Sequence, residues 1–222
     1  MTSEAVFDPE FLLSVYNYLG IFVFAISGAV AGIRRRADLF GIAVLAFAAS
    51  CCGGIMRDLL IGAVPPENIR SWQPLAVSFA AAVATMFFYP IFSKKLSNPV
   101  QVFDAFGLGL FTVIGAEKAL FFGICPVWAV LLGVITGIGG GMVRDILLAK
   151  VPGVLRTEIY ATASLVGAVI AVAGREWPIV PPAYSMILGA AVCIIMRCLA
   201  IRYQWQVPTL PRSRNGRDGE TT

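Results

Sequence analysis

Apolar residues gather along this chain in seven long stretches, which are separated by short polar or proline-containing connections. Each stretch has about 20 residues, the length of helix needed to cross the roughly 30 Å hydrocarbon layer of a bilayer. The stretches cover approximately residues 11–33, 38–62, 72–92, 101–123, 127–149, 157–174 and 182–201. The pattern therefore predicts an all-α, polytopic membrane protein with seven transmembrane helices.

Composition agrees with a membrane protein and excludes an ordinary soluble domain. Of the 222 residues, 58% are hydrophobic and 14% are charged, whereas soluble domains average about 25% charged residues. The N-terminal segment contains Glu4, Asp8 and Glu10 but no Lys or Arg, so it lacks the basic start of a cleavable signal peptide. We expect the first helix to remain in the mature protein. The five cysteines show no zinc or disulfide spacing and are expected to be free thiols.

Basic residues are distributed unevenly among the connections between the predicted helices. If the N-terminus is outside, the outer connections carry only Arg70 and Arg175. The positive-inside rule therefore predicts an extracytoplasmic N-terminus and a cytoplasmic C-terminus. The basic residues assigned to the cytoplasmic side are Arg34, Arg35, Arg36, Lys94, Lys95, Lys150, Arg156, Arg202, Arg212, Arg214 and Arg217.

The polar C-terminal tail after Tyr203 contains Pro208, Pro211 and Gly216 and is predicted to be disordered. Its arginines could contact nucleic acid or anionic lipid, but an inside-positive anchor accounts for them without a further partner. We therefore expect membrane lipid, and not nucleic acid, as a partner of the chain.

An internal repeat relates the two halves of the chain by a shift of 87 residues. Each repeat contains three predicted helices, and because three is odd, the second repeat must enter the membrane upside down relative to the first. Identical pairs include Gly20/Gly107, Phe24/Phe111, Gly28/Gly115, Leu45/Leu132, Pro65/Pro152 and Ala81/Ala168. The predicted organisation is an extracytoplasmic segment (1–10), a first three-helix repeat (11–92), a second, inverted three-helix repeat (98–174), a seventh helix (182–202) and a cytoplasmic tail (203–222).

The repeat includes a Gly-Gly-x-x-Arg-Asp signature at residues 53–58 and again at residues 140–145. Its glycines fall near mid-membrane in the second and fifth predicted helices. Glycine lowers helix stability by about 1 kcal/mol relative to alanine, so we expect kinks or unwinding at Gly53-Gly54 and at Gly137, Gly139, Gly140 and Gly141. Backbone carbonyls released there would be natural cation ligands. The alternative is that the small residues only allow close helix packing.

The Arg-Asp doublets of the two signatures place charge inside the membrane. A charged side chain near the bilayer centre costs roughly 2.5–3.5 kcal/mol on insertion scales, and a hydrophilic path is the usual reason for one. Because the repeats are inverted, the first doublet would lie in the outer half of the membrane and the second in the inner half, which suggests an hourglass path. An ion pair that ties helices together is the alternative, and both roles can hold. The predicted path residues are Ser50, Gly53, Gly54, Arg57, Asp58, Asp104, Lys118, Thr136, Gly139, Gly140, Gly141, Arg144 and Asp145.

Lys118 departs from the repeat, because its counterpart under the shift is Ala31. An unmatched basic residue inside a helix is expected to tune the path, and snorkelling to the outer interface is the alternative. Asp104, at the start of the fourth helix, belongs to the inner half. The carboxylates expected to favour cations are Asp58, Asp104 and Asp145, and the basic residues expected to contribute to a gate are Arg57, Arg144 and Lys118.

These motifs give the sequence a specific resemblance. The doubled signature, the turns Val64-Pro65-Pro66 and Val151-Pro152, the segment Asp104-Ala105-Phe106-Gly107 and Lys118 resemble the bacterial branch of the trimeric intracellular cation channel family over roughly residues 14–202. The resemblance implies a homotrimer in the bacterial inner membrane. Each protomer would have its own pore for potassium and also sodium, without a cofactor or a resident metal ion. The implied kinks are at Gly53-Gly54 and at Gly139-Gly140-Gly141, and the implied basic residue of the pore is Lys118.

The sequence fits two other classes of function to different degrees. The same two-repeat domain is sometimes labelled a glycine transporter, and inverted repeats with interrupted helices are also the plan of secondary transporters that work by alternating access. A membrane enzyme is not expected, because the chain has no histidine and no spaced set of cysteine or carboxylate ligands. Cys52 stands where a third glycine is usual, so the first interruption is expected to be shorter than the second.

Overall fold

The part of the chain that the structure describes contains seven long helices, as the apolar stretches predict. The computed structural model describes residues 9–96, 98–155, 158–177 and 181–204. The helices are α1 (Pro9–Arg34), α2 (Leu39–Leu60), α3 (Glu67–Arg70), α4 (Gln73–Lys95), α5 (Pro99–Phe121), α6 (Pro126–Leu147), α7 (Glu158–Glu176) and α8 (Pro182–Tyr203). All except α3 are long and apolar enough to cross a membrane, which confirms the all-α polytopic fold. Predictions for residues 1–8, for Arg156 and for the tail after Gln204 lie outside the described residues.

Two short elements between the long helices were not predicted. The helix α3 follows α2, and a 3₁₀ turn, Gly153–Leu155, follows α6. They occupy similar places in the two repeats, directly after the helix that carries the signature. Both bring the connecting chain back towards the end of that helix.

Prolines in the first turn and one capping aspartate mark the starts of several helices. Pro99, Pro126 and Pro182 lie in the first turns of α5, α6 and α8, where the missing N–H of proline removes no helical hydrogen bond. Asp38 caps α2, because its carboxylate accepts a hydrogen bond from the N–H of Gly41 at 2.7 Å.

Left-handed residues end equivalent helices in the two repeats. Arg36 (φ 57°) and Gly123 (φ 75°) follow α1 and α5, whereas Gly62 (φ 74°) and Ala149 (φ 50°) follow α2 and α6. The 87-residue shift relates the members of each pair, although the residues differ. The repeat therefore keeps the turn that ends the helix even where it does not keep the residue.

Contacts between the two halves of the protein are reciprocal. The rings of Phe24 in α1 and Phe111 in α5 stack with their centroids 5.4 Å apart. Gly20 lies against the ring of Phe111, and its counterpart Gly107 lies against the ring of Phe24. Because each residue contacts the counterpart of its own partner, a pseudo-two-fold axis relates the repeats, as the inverted arrangement requires.

The seventh long helix, α8, lies outside this symmetry and packs along α7 and against α5. Gly167 in α7 and Gly189 in α8 face each other's carbonyl oxygens, so these two helices approach closely. Large apolar side chains such as Phe40, Phe87 and Phe121 are exposed on the outside of the bundle, as expected for a surface in contact with lipid.

Candidate functional site

The helices α2 and α6 cross at their glycine motifs in the middle of the protein. Gly53 lies against the carbonyl oxygen of Thr136, and its counterpart Gly140 lies against the carbonyl oxygen of Ala49. As residue numbers rise in one helix they fall in the other, so the two helices cross in antiparallel directions. A side chain at either glycine would overlap these carbonyl groups, so only glycine permits this backbone contact.

Both helices are continuous through their glycines, which corrects the expected unwinding. The helix α2 runs without a break from Leu39 to Leu60, and α6 runs from Pro126 to Leu147. In this conformation the glycines allow close packing of the two helices, which was the alternative interpretation. The missing side chains shorten the distance between helices, and the backbone carbonyls stay within their helices and are not released as cation ligands.

The other small residues of the two motifs are also packed. A Cβ atom at Gly139 would lie 3.0 Å from the Cα atom of Gly53. Gly54 lies against the side-chain amide of Asn68. The same amide donates a hydrogen bond to the carbonyl of Cys51 at 3.2 Å. Gly141 faces the hydroxyl of Tyr160.

The hydroxyl groups of the motifs are satisfied within their own helices. Ser50 donates to the carbonyl of Ala46 at 2.8 Å, and Thr136 donates to the carbonyl of Leu132 at 2.6 Å. Both side chains are completely buried.

Next to the first signature is a charged group that we call the outer cluster, after the predicted orientation: Arg57, Asp58, Glu67 and Lys118. The Nε of Arg57 donates to Asp58 at 2.8 Å, and the backbone N–H of Glu67 donates to the second oxygen of Asp58 at 2.9 Å. The ammonium of Lys118 lies 3.1 Å from Asp58 and 2.6 Å from Glu67. A fully buried carboxylate is thus compensated by two cations and one amide, and Lys118 pairs both with this carboxylate and with the exposed Glu67.

Next to the second signature is the inner cluster, which we define as Ser27, Asp104, Arg144 and Asp145. The Nε of Arg144 donates to Asp145 at 3.0 Å, and the backbone N–H of Gly153 donates to the other oxygen of Asp145 at 3.1 Å. The Nη1 of Arg144 reaches both Asp104 and the hydroxyl of Ser27 at 2.7 Å. One buried guanidinium therefore joins two carboxylates from different helices.

The two clusters have a common core and differ in what α5 adds. In both, the arginine of the signature pairs with the aspartate next to it, and the following loop donates one backbone N–H to that aspartate. At the outer end, α5 adds the cation of Lys118, whose counterpart is Ala31; at the inner end, α5 adds the carboxylate of Asp104, whose counterpart is Asn17. The helix α5 therefore makes the two ends electrostatically different.

A cavity lies beside each cluster, and the α2–α6 contact lies between the clusters. The outer cavity has a volume of about 570 Å³ and the inner cavity about 250 Å³. Charged and amide residues of the outer cavity are Asn17, Glu67, Glu117, Lys118 and Arg175. Charged and amide residues of the inner cavity are Arg34, Asn98, Gln101, Asp104, Arg144, Asp145, Lys150 and Arg197. The two cavities therefore lie on opposite sides of the buried glycines.

Several residues of the site were missed by sequence reasoning. Ser27 and Glu67 enter the clusters through contacts that no local pattern indicates. Arg197 of α8 stacks on the ring of Tyr160, with the guanidinium carbon 4.6 Å from the ring centroid. An arginine within the seventh apolar stretch was a usable signal, because such residues are rare in transmembrane helices.

Glu117 of α5 lines the outer cavity and was not among the predicted path residues. The structure shows its carboxylate buried and paired with Arg175 at 3.0 Å. This pair links α5 to α7 next to the outer cavity.

Solved structures share this architecture. A channel from a study of the structural basis for conductance through TRIC cation channels matches with a TM-score of 0.80 and 35% identity, over 90% of this chain and 98% of that chain. The TRIC trimeric intracellular cation channel orthologue from Rhodobacter sphaeroides matches with a TM-score of 0.80 and 31% identity, over 87% of this chain and 98% of that chain.

The chain belongs to the TRIC channel family. Among the sequence relatives of this TRIC protein, the UPF0126 inner membrane protein YadS of Escherichia coli K12 is 35% identical over 201 residues, covering 90% of this chain and 97% of YadS. The UPF0126 membrane protein YvgT of Bacillus subtilis 168 is 32% identical over 201 residues, covering 89% of this chain and 94% of YvgT.

The family model that matches is described as a glycine transporter, and it matches residues 14–90 and 101–176. These two segments begin 87 residues apart, like the internal repeat. Together with the seven spanning helices, the relatives identify this TRIC protein as a multi-pass bacterial inner-membrane protein.

Proposed function

We propose that this TRIC protein conducts monovalent cations, potassium and sodium, along one hourglass path in each protomer of a homotrimer. The observation that carries the proposal is the pair of buried Arg-Asp clusters, one on each side of the α2–α6 glycine contact and each beside a cavity. The similarity to solved TRIC cation channels supports conduction of cations. The description of the Rhodobacter sphaeroides orthologue as trimeric supports the homotrimer.

Conduction requires a conformation other than the one described, because the helices α2 and α6 are in backbone contact between the two cavities. We infer that the described conformation is closed and that opening bends or separates the helices at Gly53-Gly54 and at Gly139-Gly140-Gly141. The low helix propensity of glycine makes bending inexpensive at these places. Carbonyl groups that turn into the opened path would replace part of the hydration shell of a cation.

The charges of the clusters explain why the path would favour cations. Asp58, Asp104 and Asp145 supply carboxylates close to the cavities, while Arg57 and Arg144 neutralise and orient them. Paired charges beside water are less costly in a membrane than isolated ones. The path can therefore remain hydrated without repelling positive ions.

Lys118 is the residue we assign to gating. Its ammonium occupies the outer cluster and neutralises Asp58 and Glu67 together. Movement of Lys118 away from this position would make the carboxylate of Glu67 available to an entering cation and would leave Asp58 with Arg57 as its remaining cation. A membrane potential acts on such a charge, so the outer cluster would respond to voltage.

A carrier that works by alternating access is the second candidate. The family description as a glycine transporter favours it, and so does a closed centre between two cavities in inverted repeats. A carrier would open the two cavities in turn, and a channel would join them.

Reconstitution of the purified protein distinguishes the two functions. In planar bilayers with a potassium gradient, a channel gives unitary currents whose reversal potential follows the cation gradient. These unitary currents should persist when sodium replaces potassium. Proteoliposomes from the same preparation are then assayed for glycine uptake, with protein-free vesicles as the control. Saturable glycine uptake without unitary currents would replace the channel by the carrier.

A further inference from the structure

The inner cavity differs from the outer cavity in its charge. Four cationic side chains and two carboxylates line the inner cavity, whereas two cations and two carboxylates line the outer one. The inner cations are Arg34, Arg144, Lys150 and Arg197, and the inner carboxylates are Asp104 and Asp145. The inner cavity thus has a surplus of two positive charges, although it lies beside a path proposed for cations.

Both carboxylates of the inner cavity are already used. Asp104 and Asp145 bind Arg144 at 2.7 Å and 2.9 Å, respectively. Arg34, at the rim, donates to the neutral amide of Asn98 at 3.1 Å. The surplus positive charge of the inner cavity is therefore carried by Arg34, Lys150 and Arg197.

Arg197 is the residue that needs a partner. It is 4% exposed, and among the described residues its Nε has no hydrogen-bond acceptor. The guanidinium stacks on the ring of Tyr160, which holds the plane of the group but satisfies no N–H. A buried charged donor that has no acceptor among the described residues is unfavourable, so an acceptor is expected to bind at this place in the inner cavity, which Arg197 lines.

The outer cavity gives a useful comparison, because its orphaned atom has the opposite chemistry. That atom is Oε1 of the buried Glu117, an acceptor, whereas the inner orphan is a donor. The unpaired donor and the surplus of positive charge coincide only at the inner cavity, as far as the described residues go.

A simpler explanation covers part of the surplus but not Arg197. Arg34 and Lys150 lie at helix ends and in connections, where the positive-inside rule explains basic residues. Partial burial lowers the pKa of Lys150, and the charges of Arg35, Arg144 and Arg34 also lower it against the effect of Asp145, as in a region of positive potential. Arg197 is buried within α8 and cannot serve as an exposed topological anchor.

We propose that the inner cavity binds a phosphate-type oxyanion, which accepts a hydrogen bond from Arg197 and is neutralised by Lys150 and Arg34 at the rim. The headgroup of an anionic lipid and free inorganic phosphate present the same chemistry to these residues. The proposal concerns binding and does not depend on conduction, so it stands or fails separately from the proposed function.

Binding is tested on the purified full chain. In neutral detergent, inorganic phosphate is titrated at constant ionic strength against chloride, and heat of binding and thermal unfolding are measured. The lipid arm uses nanodiscs of phosphatidylcholine with and without phosphatidylglycerol. Phosphate binding in detergent assigns a soluble anion, and stabilisation only by phosphatidylglycerol assigns a lipid headgroup; either result supports the site.

Three variants locate the site. Arg197→Gln should weaken binding at least about tenfold, because a charge-assisted hydrogen bond is lost. Lys150→Gln, at an exposed position, should weaken binding about two- to fivefold. Arg202→Gln, an exposed arginine five residues further along α8, is the matched control and should leave binding unchanged.

Two results would overturn the proposal. One is the absence of any effect of both phosphate and phosphatidylglycerol on the unmodified protein. The other is that the Arg197→Gln and Lys150→Gln variants bind the ligand with the same affinity as the control variant Arg202→Gln. If Arg197→Gln does not fold, Lys150→Gln against Arg202→Gln decides the question.

Discussion

Asp58 and Asp145 occupy equivalent positions in the sequence repeat, but they differ in how far the neighbouring arginine depends on them for neutralisation. Arg144 has a second carboxylate, Asp104, at 2.7 Å. Among the described residues, Arg57 pairs only with Asp58. The neutral Asn17 stands where a second outer carboxylate would be. The outer arginine therefore depends on a single acidic side chain.

This difference predicts that Asp58→Asn is more destabilising than Asp145→Asn. Breaking a buried pair by removing one partner costs about 3–5 kcal/mol, because the other charge stays buried and uncompensated. In Asp145→Asn the remaining carboxylate of Asp104 reduces that cost. Thermal unfolding of both purified variants in detergent measures the order, and equal losses of stability would contradict the pairing described here.

Lys118 provides a second prediction at the scale of single residues. Lys118→Ala removes the cation that neutralises Asp58 and Glu67, so open probability or its voltage dependence should change while the protein still folds. Lys94→Ala, an exposed lysine at the end of α4, is the control. Single-channel recording provides the measurement, and identical gating of the two variants would remove Lys118 from the mechanism.

At the scale of elements, the contact between α2 and α6 is the main finding. The glycines permit two antiparallel helices to touch through their backbones, and both helices remain intact. The same residues that allow close packing also weaken the helices, because glycine has low helix propensity. One sequence feature can thus stabilise the closed contact and permit its opening.

A single methyl group at this contact tests its tightness. Gly53→Ala places a Cβ atom on the carbonyl oxygen of Thr136, so α2 and α6 must separate, and we expect a loss of about 1–3 kcal/mol from overpacking. Gly153→Ala is the control, because its nearest neighbour would be 3.8 Å away. Denaturation in detergent compares the two, and equal stability would show that the crossing has room for a side chain.

The orientation of the whole molecule is a prediction that one cysteine can test. Cys125 is exposed in the connection between α5 and α6, which the positive-inside rule assigns to the outside, whereas Cys51 and Cys193 are buried. A membrane-impermeant maleimide should label the protein in intact cells, and Cys125→Ser should abolish this labelling of the protein. Labelling that appears only after the membrane is permeabilised would reverse the assigned orientation.

Assembly is the other prediction at the scale of the molecule. If each protomer has its own path, the homotrimer should persist when conduction is impaired, because the clusters lie within one chain. Native mass spectrometry of the purified protein is expected to show three copies for the unmodified chain and for Lys118→Ala. A monomer with full unitary conductance would show that the trimer is not required for the path.

The architecture was predictable from the sequence to a large extent. Seven apolar stretches correspond to seven helices, and the family model matches two segments offset like the internal repeat. The unwinding at the glycines was wrong, because low helix propensity does not decide whether a neighbouring helix fills the space and keeps the glycines helical.

The sequence by itself determined the number of helices, the inversion of the repeats and the positions of the two Arg-Asp doublets. It could do so because the thickness of the hydrocarbon layer sets the length of a helix, and because an odd number of crossings reverses direction. Only the tertiary structure decided the partners of those charges. Asp104, Lys118 and Arg197 reach the clusters and cavities from helices distant in sequence, and their distances depend on how α5 and α8 pack against the signature helices.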